Sequence, residues 1–148
     1  MRKAAFIPPM LLLRTSTLLE GPQWRYELKH DGYRAIVFKS GGKLFLRSRN
    51  NKDFADRYPE ILEGLTKLPD ETVIDGEVVA LDESGRPSFN ALQNSASSER
   101  DLVYYVYDVM IIRGKDVMSE PFDKRRTLLE KKILPKLKEP VQIGRAHV

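Results

Sequence analysis

Two runs dense in β-branched and aromatic residues, 72–81 and 102–112, constrain this chain more than any other feature. Val, Ile, Thr and Tyr lose rotamer freedom in a helix and pack well on a pleated surface, so both runs predict strands. A third β-rich region precedes them. From Trp24 to Leu46 apolar and polar residues alternate, with Tyr26, Leu28 and His30 on one side and Arg25, Glu27 and Lys29 on the other. Ala35-Ile36-Val37-Phe38 is a more continuous apolar strand, and Ser40-Gly41-Gly42-Lys43 supplies a hairpin turn into Leu44-Phe45-Leu46. The pattern predicts an antiparallel meander whose first two strands meet at a tight corner, Asp31-Gly32.

Helical spacing takes over elsewhere. Phe54, Tyr58, Ile61, Leu62 and Leu65 recur at three- and four-residue steps, which predicts an amphipathic helix over 53–68 with Pro59 near its first turn. Residues 88–95 predict a short helix. Residues 123–137 predict a basic amphipathic one, with Asp123 as N-cap and Leu128, Leu129 and Ile133 buried. Helices and strands do not alternate regularly, so the fold class expected is α+β, a mainly antiparallel sheet with flanking helices.

Composition narrows the chemistry. The chain has 148 residues, 41% of them hydrophobic and 31% charged, which suits a domain able to bury a core. It contains no Cys, which excludes disulfides, thiolate metal sites and cysteine nucleophiles, and its two histidines, His30 and His147, cannot build a multi-histidine cage. Neither a G-x-G-x-x-G nor a G-x-x-x-x-G-K pattern occurs. The apolar run 10–13 is too short to cross a bilayer, and Pro8, Pro9 and Arg14 interrupt any export signal, so a cytoplasmic protein with no membrane partner is expected. The net charge of +4 is a modest hint of a polyanionic partner.

Four stretches can carry chemistry. In Glu27-Leu28-Lys29-His30-Asp31-Gly32-Tyr33-Arg34, Glu27 and Lys29 share a strand face. They form an ion pair on a wet surface, or Lys29 is a nucleophile whose amine is freed by burial or by a neighbouring cation such as Arg34, with Gly32 admitting a ligand close to the backbone. Arg47 and Arg49, two residues apart at a strand end, can clamp a phosphate or simply face solvent. Asp75 and Glu77 sit inside an apolar strand. They are solvated at a bulge around Gly76, or one meets a ribose hydroxyl or a divalent ion. Tyr105 and Tyr107 share a face, either as core or as a stacking platform for a base.

Taken in order, these stretches resemble the signature motifs of the covalent nucleotidyltransferases: ATP-dependent DNA ligases, RNA ligases and mRNA capping enzymes. Lys29-His30-Asp31-Gly32-Tyr33-Arg34 resembles the K-x-D-G-x-R motif, Leu46-Arg47-Ser48-Arg49-Asn50 the motif after it, Ile74-Asp75-Gly76-Glu77 the D-G-E motif, and Val106-Tyr107-Asp108-Val109 the aromatic-Asp motif. Four motifs in this order are specific for the superfamily. The wording of 24–34, 48–50 and 86–93, with Pro9-Met10-Leu11 near the start, is most similar to bacterial and archaeal ATP-dependent DNA ligases of the end-joining type.

The resemblance implies an incomplete ligase and capping-enzyme nucleotidyltransferase fold. It implies that Lys29 attacks the α-phosphate of ATP to form a lysyl-AMP phosphoramidate, that AMP passes to a DNA 5′-phosphate, and that the 3′-hydroxyl displaces it to seal the nick. Glu27, Leu28, Arg34, Arg49, Glu77 and Tyr107 would bind the nucleotide: Glu27 at the adenine amino group, Tyr107 stacked on the ring, Arg34 and Arg49 on phosphate or sugar. Glu77 would contact the ribose or a metal-bound water, with Mg²⁺ neutralising the triphosphate. Nicked duplex DNA is the implied partner of the full-length protein. RNA ligation, capping, or nucleotide binding without catalysis are the alternatives.

The family's acidic E-G motif, K-x-K motif and oligonucleotide-binding barrel do not follow Asp108; Lys136-Leu137-Lys138 has the K-x-K spelling but comes too early. The expectation is a partial adenylation domain over 1–142 that seals no nicks by itself. Residues 143–148, Ile-Gly-Arg-Ala-His-Val, read as translated sequencing adapter, a non-native tail expected to pack against nothing.

Overall fold

A computed structural model describes residues 1–11, 15–24, 26–27, 32–93, 101–144 and 146–147. In chain order the elements are β1 (Tyr26–Glu27), β2 (Tyr33–Ser40), β3 (Lys43–Ser48), α1 (Pro59–Gly64), β4 (Thr72–Leu81), α2 (Phe89–Gln93), β5 (Asp101–Ile112), β6 (Lys115–Asp116), α3 (Phe122–Leu128), β7 (Val141–Ile143) and β8 (Ala146–His147). The main sheet runs β3-β2-β4-β5-β6, antiparallel throughout, and β7 joins β5 in parallel. The α+β expectation therefore holds, and the two β-rich runs are its adjacent central strands.

Both faces of this sheet are covered. Ala35, Val37, Ile74, Val78, Tyr104 and Val106 bury one face against α1, α2 and the segment after α3. On the other face Ile36, Phe38, Val73 and Ile111 lie under the N-terminal segment through Ala4, Phe6 and Ile7. Two-sided burial explains why β4 and β5 read as nearly unbroken apolar runs.

Several expectations need correction. The expected corner at Asp31-Gly32 begins outside the described residues, and among the described residues β1 does not pair with β2. Its partner is β8, because β3 and β4 already occupy both edges of β2. Gly32 is small for a neighbour other than a ligand: a side chain there would meet the Val78 carbonyl. The helix expected over 53–68 splits into a 3₁₀ turn, Ala55–Arg57, and α1. Pro59 is the cause. It takes the first helical position but pushes Tyr58 out of the α region, to φ −135° and ψ 59°. Asp53 lies outside both helices and accepts the Ala55 N–H at 2.8 Å. The helix expected over 123–137 is α3 followed by a wide turn, Leu129–Ile133, and a 3₁₀ turn, Leu134–Lys136, which contains Pro135. Pro121, not Asp123, stands at its N-cap, and Asp123 lies in the first turn. Leu129 and Ile133 are buried as expected.

The tail is not free. Ile143 belongs to β7, so the expected boundary at 142 falls inside a strand, and the Gly144 N–H donates to the Val106 carbonyl at 2.8 Å. Ala146–His147 pairs with β1. Above the two-residue β6, β5 offers an open edge, and an extended chain that reaches such an edge satisfies its backbone groups there.

Candidate active site

The site is built on one transverse row across the sheet. Arg34 on β2 stands opposite Glu77 on β4, and Glu77 opposite Tyr105 on β5. On the other side Ala35 pairs with Ser48, which sets Arg49, the next residue past β3, beside Arg34. With about 4.8 Å between strands, the row is roughly three strand spacings long. Arg49 is exposed, and its turn is shaped by the buried Ser48, whose Oγ accepts the N–H groups of Asn50 at 3.3 Å and Lys52 at 3.0 Å.

Asp75 lies one step along the same face and is buried. Arg34 grips it through two parallel bonds, Nε to Oδ1 at 2.8 Å and Nη2 to Oδ2 at 2.5 Å. Asp75 is therefore not solvated, and β4 is a central strand rather than an edge. Burial pushes the Asp75 carboxyl up from its ordinary range, and the Arg34 bonds and charge offset that rise only in part. The same contact raises Arg34, chiefly through its hydrogen bonds to Asp75 and with help from the Glu77 charge, so its cation is permanent. Beneath the row the buried Tyr104 donates its hydroxyl to the Ala35 carbonyl at 2.9 Å, and burial raises its pKa further.

Tyr107 owes its place to a bulge. Gly76 pairs with Val106 and Asp75 with Asp108, so Tyr107 is the extra residue with no opposite number. A bulge of this kind bends the strand and re-aims one side chain. Gly76 permits it: a Cβ there would meet the Tyr105 carbonyl and come within 2.8 Å of the Tyr104 ring. From behind, α3 fixes the bulge. Arg125 holds Asp108 through Nε at 2.8 Å and Nη2 at 3.1 Å, while the buried Arg126 donates from Nη1 to the Tyr107 carbonyl at 3.1 Å and from Nη2 to the Gly144 carbonyl. The Gly144 backbone lies against the Tyr107 ring. Sequence reasoning assigned no role to Ser48, Arg125 or Arg126. The available signal was a pair of arginines on a helix and one aspartate, Asp108, in an apolar strand.

Arg34, Arg49, Glu77 and Tyr107 are thus brought to one region, together with Tyr105 and Asp75. Leu28 and Lys29 lie outside the described residues, as does the Glu27 side chain. β1, which carries Glu27, is tied to this region through β8, two residues after Gly144. The chemistry of the row fits a nucleotide: cations for phosphate, a carboxylate for hydroxyls, and an aromatic ring for a base. For Mg²⁺ the donor set is thin. Asp75 is spent on Arg34, and among the described residues no group of three His, Cys, Asp or Glu could hold a metal. Glu77 alone suits an ion that arrives coordinated by phosphates and keeps most of its waters.

Residues 9–147 match the family described as ATP dependent DNA ligase domain. The multifunctional non-homologous end joining protein LigD of Mycolicibacterium smegmatis is 37% identical over 124 residues, covering 82% of this chain and 16% of that protein. The SPbeta prophage-derived DNA ligase-like protein LigB of Bacillus subtilis is 33% identical over 127 residues, covering 84% of this chain and 46% of its own length. Among solved structures, a mycobacterial DNA ligase D complexed with ATP and MES superimposes with a TM-score of 0.69 at 30% identity, over 83% of this chain and 40% of that one. The chain therefore spans less than half the length of these relatives. It belongs to the ATP-dependent DNA ligase family.

Proposed function

We propose that this chain carries the nucleotide-binding part of a ligase adenylation site, in which Lys29 takes AMP from ATP. The Lys29 Nζ attacks the α-phosphate, a P–N bond forms, and the bond to the β-phosphate bridging oxygen breaks to release pyrophosphate. AMP then moves to the 5′-phosphate of nicked duplex DNA, and the 3′-hydroxyl displaces it. Arg34 and Arg49 hold phosphate or sugar oxygens, Glu77 accepts from the ribose or a metal-bound water, and Tyr107 stacks on the adenine, with Glu27 and Leu28 completing the base pocket. Mg²⁺ supplies neutralisation of the triphosphate charge.

The observation that supports this reading is the single row Arg49–Arg34–Glu77–Tyr105, with Tyr107 set beside it by the bulge. The motifs that would complete the chemistry, the acidic E-G and the K-x-K, do not follow Asp108. Since the chain covers 16% and 46% of the length of two ligase relatives, nick sealing is assigned to a longer, cytoplasmic protein that also grips DNA through an oligonucleotide-binding barrel. No helix of the described residues is long and apolar enough to cross a membrane.

Incubation with α-labelled ATP and Mg²⁺, followed by denaturing electrophoresis, tests the reading. A weak covalent label on the 148-residue chain, lost in Lys29→Ala, is the expected result. Equal labelling of the two proteins would refute it.

A further inference from the structure

Beside the row, between the N-terminal segment at Ala4–Phe6 and the β2–β3 hairpin, lies an open groove of about 580 Å³. Lys43 and Arg47 line it, and no Asp or Glu does. Both cations sit over the Phe45 ring, at 5.2 and 5.4 Å from its centroid, and Phe45 stacks on Phe38 with centroids 4.6 Å apart and planes 14° from parallel. The stack holds the charged heads in place at little cost in side-chain freedom.

These heads are unspent. Arg34, Arg125 and Arg126 are each committed to a carboxylate, whereas Arg47 makes no ion pair among the described residues, and its buried Nε has no hydrogen-bond partner there. An unpartnered buried donor is costly unless something fills it. A guanidinium and an ammonium in a groove without acids call for an anion.

We propose that this groove binds the sugar–phosphate backbone of a DNA strand that leads to the nucleotide row. The inference rests on the ligase reading above and adds a contact surface to it. Lys43 and Arg47 lie on β3 and Arg49 just past its end, a stretch of extended chain that spans about 20 Å. That is far longer than a triphosphate and suits the repeated charge of a polynucleotide. Asn51, at the rim, adds a neutral amide donor.

The test measures DNA binding without ATP, so a failure of Lys29 labelling does not obscure it. A fluorescein-labelled nicked duplex is titrated with the 148-residue chain by anisotropy at several salt concentrations. Each lost phosphate contact should flatten the slope of log K against log[salt] by about 0.9. Lys43→Gln should lose about one such step, and the Lys43→Gln/Arg47→Gln double variant about two, with severalfold weaker binding at low salt. Because Lys43 is exposed, its single variant decides the matter if the double variant does not fold. Unchanged slopes in either folded variant would overturn the proposal. So would inorganic triphosphate displacing the duplex at one equivalent per site, since the groove would then be a seat for free polyphosphate.

Discussion

At the scale of single residues, Asp75 and Gly76 do the most to shape the site. Asp75 is buried and held by Arg34, yet burial outweighs that grip and its folded pKa lies above the ordinary 3.8. Between 3.8 and that raised value the native state keeps a proton that the unfolded chain has lost. Stability from this residue is therefore present below pH 3.8 and falls as pH rises through the window. A difference plot of urea midpoints between the wild type and Asp75→Asn, measured from about pH 3 to 6, should show this decline. A difference plot that rises with pH would reverse the sign. Gly76 is required by volume. In Gly76→Ala the new methyl meets the Tyr105 carbonyl and the Tyr104 ring, and the expected loss is about 3 kcal/mol of unfolding free energy measured by urea denaturation. A loss under about 0.5 kcal/mol would mean that the bulge relaxes freely.

At the scale of elements, β4 and β5 were legible because burial on both faces writes itself as a run of Val, Ile and Tyr. The hairpin between β2 and β3 was legible through Gly41-Gly42, both at positive φ. The helices were over-extended. Apolar spacing continued through Pro59 and Pro135, where backbone sterics stopped the α-helix while the buried positions carried on. The Tyr107 bulge and the α3 clamp were not legible, because register shifts and the pairing of Arg125 with Asp108 depend on tertiary neighbours, not on local pattern. The packing of the tail was not legible for a similar reason: Ile143 and Ala146–His147 carry no strand pattern, yet they pair with β5 and β1. Ending the chain at Gln142 removes the backbone hydrogen bond from the Gly144 N–H to the Val106 carbonyl and one partner of the buried Arg126. It should lower stability by about 2 kcal/mol. An unchanged melting temperature would show that this packing adds nothing.

At the scale of the whole molecule, the sheet serves as a ruler. β3, β2, β4 and β5 lie side by side, so residues as distant as Arg34 and Tyr105 fall on one line, and the family motifs come together because each occupies a neighbouring strand. The order of the motifs along the chain was readable, but neither the strand order nor the line was, since both are set by pairing. The central claim is that this line serves a nucleotide that becomes bonded to Lys29. Peptide mass spectrometry of the chain after incubation with ATP and Mg²⁺ tests it most directly. The account predicts a single adenylyl adduct on the peptide containing Lys29, diminished in Tyr107→Ala and absent in Lys29→Arg. An adduct on another residue, or one that persists in Lys29→Arg, would contradict it.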